Sequence, residues 1–155
     1  MVHRELCGLD SARADASIPA ALAHGVFLDA AGEGRVASAV RADYAAAASA
    51  VLASETAQSG RIYELAGDEA YTLADFADLV AQVSGEPVGY RTLAEGEFAA
   101  ALIGAGLPEA FAGLLADSDA GAQKGGLFDA GHQLNGLIGR PTTSLASVIA
   151  TALAG

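Results

Sequence analysis

The sequence predicts a helix-rich α/β fold with a small parallel or mixed sheet. Three observations lead there. Short β-favouring runs alternate with helical periods along the chain. The stretch from Arg61 to Leu93 reads as strand, helix, strand, which implies parallel strands joined by a right-handed crossover. Apolar residues elsewhere recur more often at helical spacing than at alternate positions, so the helical share exceeds the sheet.

Within Arg61–Leu93, the run Ile62 to Ala66 favours a strand and Gly67-Asp68 stops it. Thr72 sits at an N-cap position, where its hydroxyl can accept a backbone N–H. Leu73, Phe76, Val80 and Val83 then lie on one stripe of a helix. Gly85 provides a left-handed cap, Pro87 prevents continuation, and Val88 to Leu93 forms the second strand.

The remaining elements follow in chain order. Residues 1–17 show no apolar period and are expected to be an irregular N-terminal segment, with one domain over 18–155. Ile18-Pro19 opens a short helix that Gly25 ends. Val26 to Leu28 is a strand, Ala31 to Gly34 a turn, and Arg35 to Ser38 a return strand. An alanine-rich helix runs from about Arg41 to Ala53, with Tyr44, Ala48, Val51 and Leu52 as its buried side. Glu95 to Ala105 is a helix, and Pro108 opens another through Phe111, Leu114 and Leu115. Asp117 to Gly126 reads as a polar loop. His132 to Ile138 is a short helix capped by Gly139, and Thr143 caps a last helix carrying Leu145, Val148, Ile149 and Leu153.

Bulk composition excludes several function classes. The 155 residues suit one ordinary domain, and 52% are apolar, much of that alanine. A net charge of −11 disfavours nucleic acid and anionic membrane surfaces as partners. The single cysteine, Cys7, excludes an internal disulfide and fits a reducing compartment. No apolar run approaches the ~20 residues of a membrane span, and the first residues lack a signal core, so a cytoplasmic location is expected.

No catalytic constellation is visible in the residues themselves. A dinucleotide cradle needs G-x-G-x-x-G between a strand and a helix, because only glycine lets the backbone approach the pyrophosphate. Gly32-Glu33-Gly34 is followed by another strand, Gly104-Ala105-Gly106 ends a helix, and Gly125-Gly126 follows Lys124 in reversed phosphate-loop order. His3, His24 and His132 are far apart, so no metal is expected. Asp43 near a helix start is favoured by the helix dipole and reads as structural. Asp117, Asp119 and Lys124 share the polar loop, either merely solvated or contacting a ligand or neighbouring domain.

The stretches IPAALAHGVFL, GRVASAVRADYAAAASAVL, YELAGDEAYTLADFADLVAQVSG, LPEAFAGLLADSDAGAQKGGLFD and LIGRPTTSLASV resemble, in order, the C-terminal part of the type 2 NAD(P)H:quinone oxidoreductases. These are NmrA-like, atypical short-chain dehydrogenase/reductases. The resemblance implies an enzyme whose N-terminal Rossmann half binds NADPH and whose smaller C-terminal domain forms the quinone site. That Rossmann half has no counterpart in this sequence. Val40 stands where the family usually has threonine before Arg41, removing a hydroxyl cap. Met1 to Leu6 reads as an out-of-frame translation of a family segment that precedes the match, which suggests a damaged or misread gene.

The resemblance implies Phe27, Arg41, Asp117, Asp119 and Lys124 as substrate-binding residues and a quinone-like small molecule as the family's ligand. NADPH is the family cofactor. None is expected for this chain alone, because hydride chemistry belongs to the cofactor and the cofactor half is missing. Three readings follow: the substrate-side half of a quinone reductase, a non-catalytic NmrA-like redox-regulatory or interaction module, or a truncated product without selected function. A homo-oligomer through the surface left by the missing half fits the second.

Overall fold

The computed structural model describes residues 9–154, the side chains of 9–16 excepted. The expectation for residues 1–8 therefore lies outside the described residues. Helix α1 spans Leu9–His24, β1 Val26–Asp29, β2 Arg35–Val36 and α2 Arg41–Leu52. Then come β3 at Tyr71–Thr72, α3 at Leu73–Ser84, β4 at Gly89–Thr92 and α4 at Glu95–Gly104. The chain continues through α5 Glu109–Gln123, α6 Gln133–Ile138 and α7 Leu145–Ala154. The α/β class and the helical excess stand as expected.

The sheet is wired differently from the expectation. β1 pairs in parallel with β4, Val26 opposite Gly89 and Asp29 opposite Thr92. β2 pairs antiparallel with β3, Arg35 opposite Thr72. Ile62 to Ala66 is not a strand, although its residues favour one. A strand needs a ladder partner, and the strands nearby are already paired with one another. The crossover therefore runs from β1 to β4 through α2 and α3, and Arg35-Val36 returns onto β3 rather than onto β1.

Three further expectations are corrected. Residues 9–17 belong to α1, with Pro19 inside the helix, because alanine and arginine have high helix propensity even without an apolar stripe. Asp117 to Gln123 is the end of α5 rather than a loop; Ala112, Ala116, Asp119 and Ala120 form its buried side, and packing overrides the weak local propensity of Ser118 and Gly121. On α2 the buried residues are Asp43 and Ala47, whereas Leu52 is 87% exposed.

The main core lies between α1, α3, α7 and the β1–β4 pair. Ile18, Phe27, Phe76, Val80, Val88 and Ile149 pack there, with the Phe27 and Phe76 rings 5.3 Å apart. α3 is well specified. Thr72 and Asp75 form a reciprocal capping box, and Gly85 closes the helix in the left-handed region. A second cluster, Ala30, Phe98 and Ala116, fastens the α4–α5 hairpin to the end of β1. A third, Ala39, Ala47 and Leu134, joins α2 to α6.

Candidate functional site

An apolar cavity of about 830 Å³ opens beside α2. Its floor is the exposed end of the core, Phe27, Val36, Leu73 and Phe76. One wall is α2, which contributes Tyr44, Ala48, Val51 and Leu52. The opposite wall is the irregular segment from Gly60 to Ala66, with Leu127 and Phe128 closing one end. The α2 stripe read from the sequence is therefore real, but it faces the cavity instead of the core.

Polar groups in the cavity are few and organised. The Ser38 and Tyr71 hydroxyls lie 2.6 Å apart, and the Tyr63 hydroxyl hydrogen-bonds Gln58 Oε1 at 2.5 Å. Tyr44 Oη donates to the Leu65 carbonyl at 3.4 Å, tying the two walls together. A mainly apolar chamber with hydroxyls and a few charged side chains on its lining suits a small, partly apolar molecule.

Two carboxylates hold the cavity's rear. Asp43 is fully buried at the start of α2 and accepts from Arg140 Nη2 at 2.6 Å and the Thr143 N–H at 2.8 Å. Burial alone would raise its pKa, but those two donors outweigh it and hold the carboxyl below its ordinary range. Asp68 accepts from the Thr142 N–H at 2.8 Å and from Asn135 Nδ2 at 3.0 Å, which lowers its pKa, the Thr142 N–H most of all. His132, at φ 50°, places Nδ1 3.1 Å from the other Asp68 oxygen. Together they pin the loop before α7. Because Thr143 serves Asp43, the cap of α7 falls to Ser144, whose Oγ accepts the Ser147 N–H at 3.3 Å.

The five substrate-side residues do not converge. Phe27 is on the cavity floor. Arg41 is exposed at the first turn of α2, beside the cavity-lining Val40. Asp117 and Lys124 are exposed on and just after α5, and neither lines the cavity. Asp119 is 1% exposed and turned inward, accepting the Ala30 N–H at 3.2 Å. Sequence reasoning did not single out Ser38, Tyr63 or Tyr71 as lining residues, which come together only in the fold.

The charged lining of the cavity is Arg61 against Glu64, Glu69 and Asp129, the wrong balance for phosphates. Two glycines are held against protein backbone: a Cβ on Gly34 would lie 2.5 Å from the Ala122 carbonyl oxygen, and one on Gly67 would run into that of Ser38, whereas Gly60 on the cavity lining has open space. Among the described residues no group of histidine, cysteine or carboxylate side chains could hold a metal ion, and no helix is long and apolar enough to cross a membrane.

No family model matches the chain. Quinone oxidoreductase 2 of Escherichia coli (strain K12) is 57% identical over 134 residues, covering 86% of this chain and 46% of that protein. The chain resembles the C-terminal part of a type 2 NAD(P)H:quinone oxidoreductase. A crystal structure of the E. coli enzyme, described as a new type of NADPH-dependent quinone oxidoreductase, superposes with a TM-score of 0.88 at 52% identity over 92% of this chain and 52% of that one. The same enzyme has been solved in complex with NADPH, again with a TM-score of 0.88. Triphenylmethane reductase of Citrobacter sp., complexed with NADP(H), gives 0.82 at 30% identity, covering 87% of this chain and 47% of the reductase. The chain thus spans about half the length of the relatives it matches.

Proposed function

We propose that this chain supplies the substrate-side half of an NADPH-dependent quinone reductase, in which the floor around Phe27 forms an apolar wall for a planar acceptor. The observation that carries this reading is the 57% identity to quinone oxidoreductase 2. The cavity supports it, since its lining is mainly apolar. Of the five substrate-side residues, Phe27 is the one this geometry favours; Arg41, Asp117, Asp119 and Lys124 remain assignments by resemblance. Residues 18–155 would act as that unit, in the cytoplasm.

The chain by itself does not hold the dinucleotide in this proposal, for want of a phosphate cradle. Titration with NADPH, alone and with a quinone, tests it by nicotinamide fluorescence. No saturable change and no NADPH oxidation are expected. Turnover by the 155-residue chain alone would defeat the proposal.

A second reading is an interaction module, favoured by the exposure of Leu52 at 87% and Ile62 at 64% on the cavity rim. Light scattering distinguishes it: a dimer supports association through this face, and a monodisperse monomer at high concentration counts against it.

A further inference from the structure

The run Ile62 to Ala66 has the residues of a strand but joins neither strand pair. Its exposure alternates: Ile62 and Glu64 are exposed, Tyr63 and Leu65 half-buried, and Ala66 buried. A period of two is that of extended chain. The inward residues fix the run to the molecule. Leu65 packs on the cluster that joins α2 to α6, and Tyr44 Oη donates to its carbonyl at 3.4 Å. Both ends are tied as well, the Arg61 N–H to the Gln58 carbonyl at 3.2 Å and the Gly67 N–H to the Ala37 carbonyl at 2.9 Å. Between those ties, the backbone N–H and C=O groups of Ile62, Tyr63 and Glu64 meet no partner among the described residues. An extended stretch with unpaired amides is a template for another strand.

The residues of the run select what that strand is. Directly opposed residues of an antiparallel pair point to the same face. The body of the molecule lies on the face of Tyr63 and Leu65. Two copies aligned with Tyr63 against Tyr63 would crowd both bodies onto one face of a ribbon whose strands are only about 4.8 Å apart. Setting Ile62 against Tyr63 places the bodies on opposite faces instead. In that alignment Arg61 of each copy falls opposite Glu64 of the other, twice over by the two-fold axis. A slide of two residues, to Ile62 against Leu65, loses both charge pairs and sets Glu64 against Tyr63. Opposite charges and aromatic–β-branched neighbours are the favourable cross-strand pairs, so the first alignment wins.

We propose that a second copy of this chain covers the run, the two stretches pairing antiparallel about a two-fold axis with Arg61 of each opposite Glu64 of the other. This names a partner for the interaction-module reading and rests on that reading, not on the reductase one. Ile62, 64% exposed in the single chain, is covered by the second copy's Tyr63.

Sedimentation equilibrium of the whole chain tests the pairing. The wild-type chain should show a monomer–dimer equilibrium. Arg61→Glu and Glu64→Arg, both at exposed positions, should each weaken the dimer on the order of tenfold, since each sets like charges opposite one another at two places. Mixed in equal amounts, the two variants should recover it, because every opposed pair then carries opposite charges. Contacts within one chain cannot produce that recovery, and a mixture that stays monomeric overturns the proposal. A wild-type chain that is monomeric at every concentration overturns it too. So does a dimer that neither substitution weakens, although that result leaves association through another face standing. Amide exchange at Ile62 and Glu64 should slow as the dimer forms. Protection already complete in the monomer would mean that the run is covered by its own chain, which also overturns the proposal.

Discussion

Two fully buried aspartates anchor two junctions of this molecule, and their neighbours send them in opposite directions. Asp43 meets the Arg140 guanidinium and an amide brought from a loop about a hundred residues away in sequence, and its pKa falls. Asp29 meets local amides, a phenol and another acid, and its pKa rises. Equal burial therefore does not give the same shift; the partner decides its direction. The Asp43 junction is an ion-paired clamp behind the cavity, whereas the Asp29 junction is a turn of local amides beneath the α4–α5 hairpin.

Removing the clamp should have the largest effect. Asp43→Ala strands Arg140 and the Thr143 amide and is expected to cost about 3–5 kcal/mol in urea denaturation. Asp29→Asn, by contrast, should cost under about 1 kcal/mol near neutral pH, because the local amides keep an acceptor. Similar losses from the two would break the comparison. Next come the glycines beside each junction. Gly67→Ala drives a Cβ into the Ser38 carbonyl and Gly34→Ala one into Ala122, each against backbone that cannot swing aside. Losses at the upper end of about 1–3 kcal/mol are expected, with Gly67→Ala the worse.

The pH profile sharpens the contrast. A lowered pKa, as at Asp43, contributes stability above the unfolded pKa that is lost as pH falls through the folded one. A raised pKa, as at Asp29, contributes stability below the unfolded pKa that is lost as pH rises through the folded one. Denaturation midpoints should therefore decline on both sides. Arg140→Met should move the acid decline to higher pH, and Asp29→Asn should flatten the alkaline one. The smallest effect belongs to the rim: Leu52→Ser should change stability by no more than about 0.5 kcal/mol while altering association or ligand uptake through the cavity.

Much of this fold was legible because local signals agreed with one another. Thr72 and Gly85 mark α3 at both ends, and Leu73, Phe76 and Val80 face the core as the period required. What failed was nonlocal. Ile62 to Ala66 had the residues of a strand but no partner, and strand partners are not written in a strand's own residues. The α2 stripe was found, yet a periodicity of apolar side chains cannot say whether they face a core or a cavity. Of the proposed site, Phe27 was placed on the floor, while Asp119 was taken for a loop residue because the alanines that bury α5 give a faint period. The Asp29 turn was invisible, since its second carboxylate arrives from ninety residues downstream.

The wall opposite α2 has one practical consequence. The backbone of Ile62, Tyr63 and Glu64 has no hydrogen-bond partner among the described residues, and Arg61 and Ile62 are exposed. A trypsin digest under native conditions should nick the chain first after Arg61. Whatever seats against that wall, be it another polypeptide or a flat small molecule, would then announce itself by slowing the appearance of the two fragments.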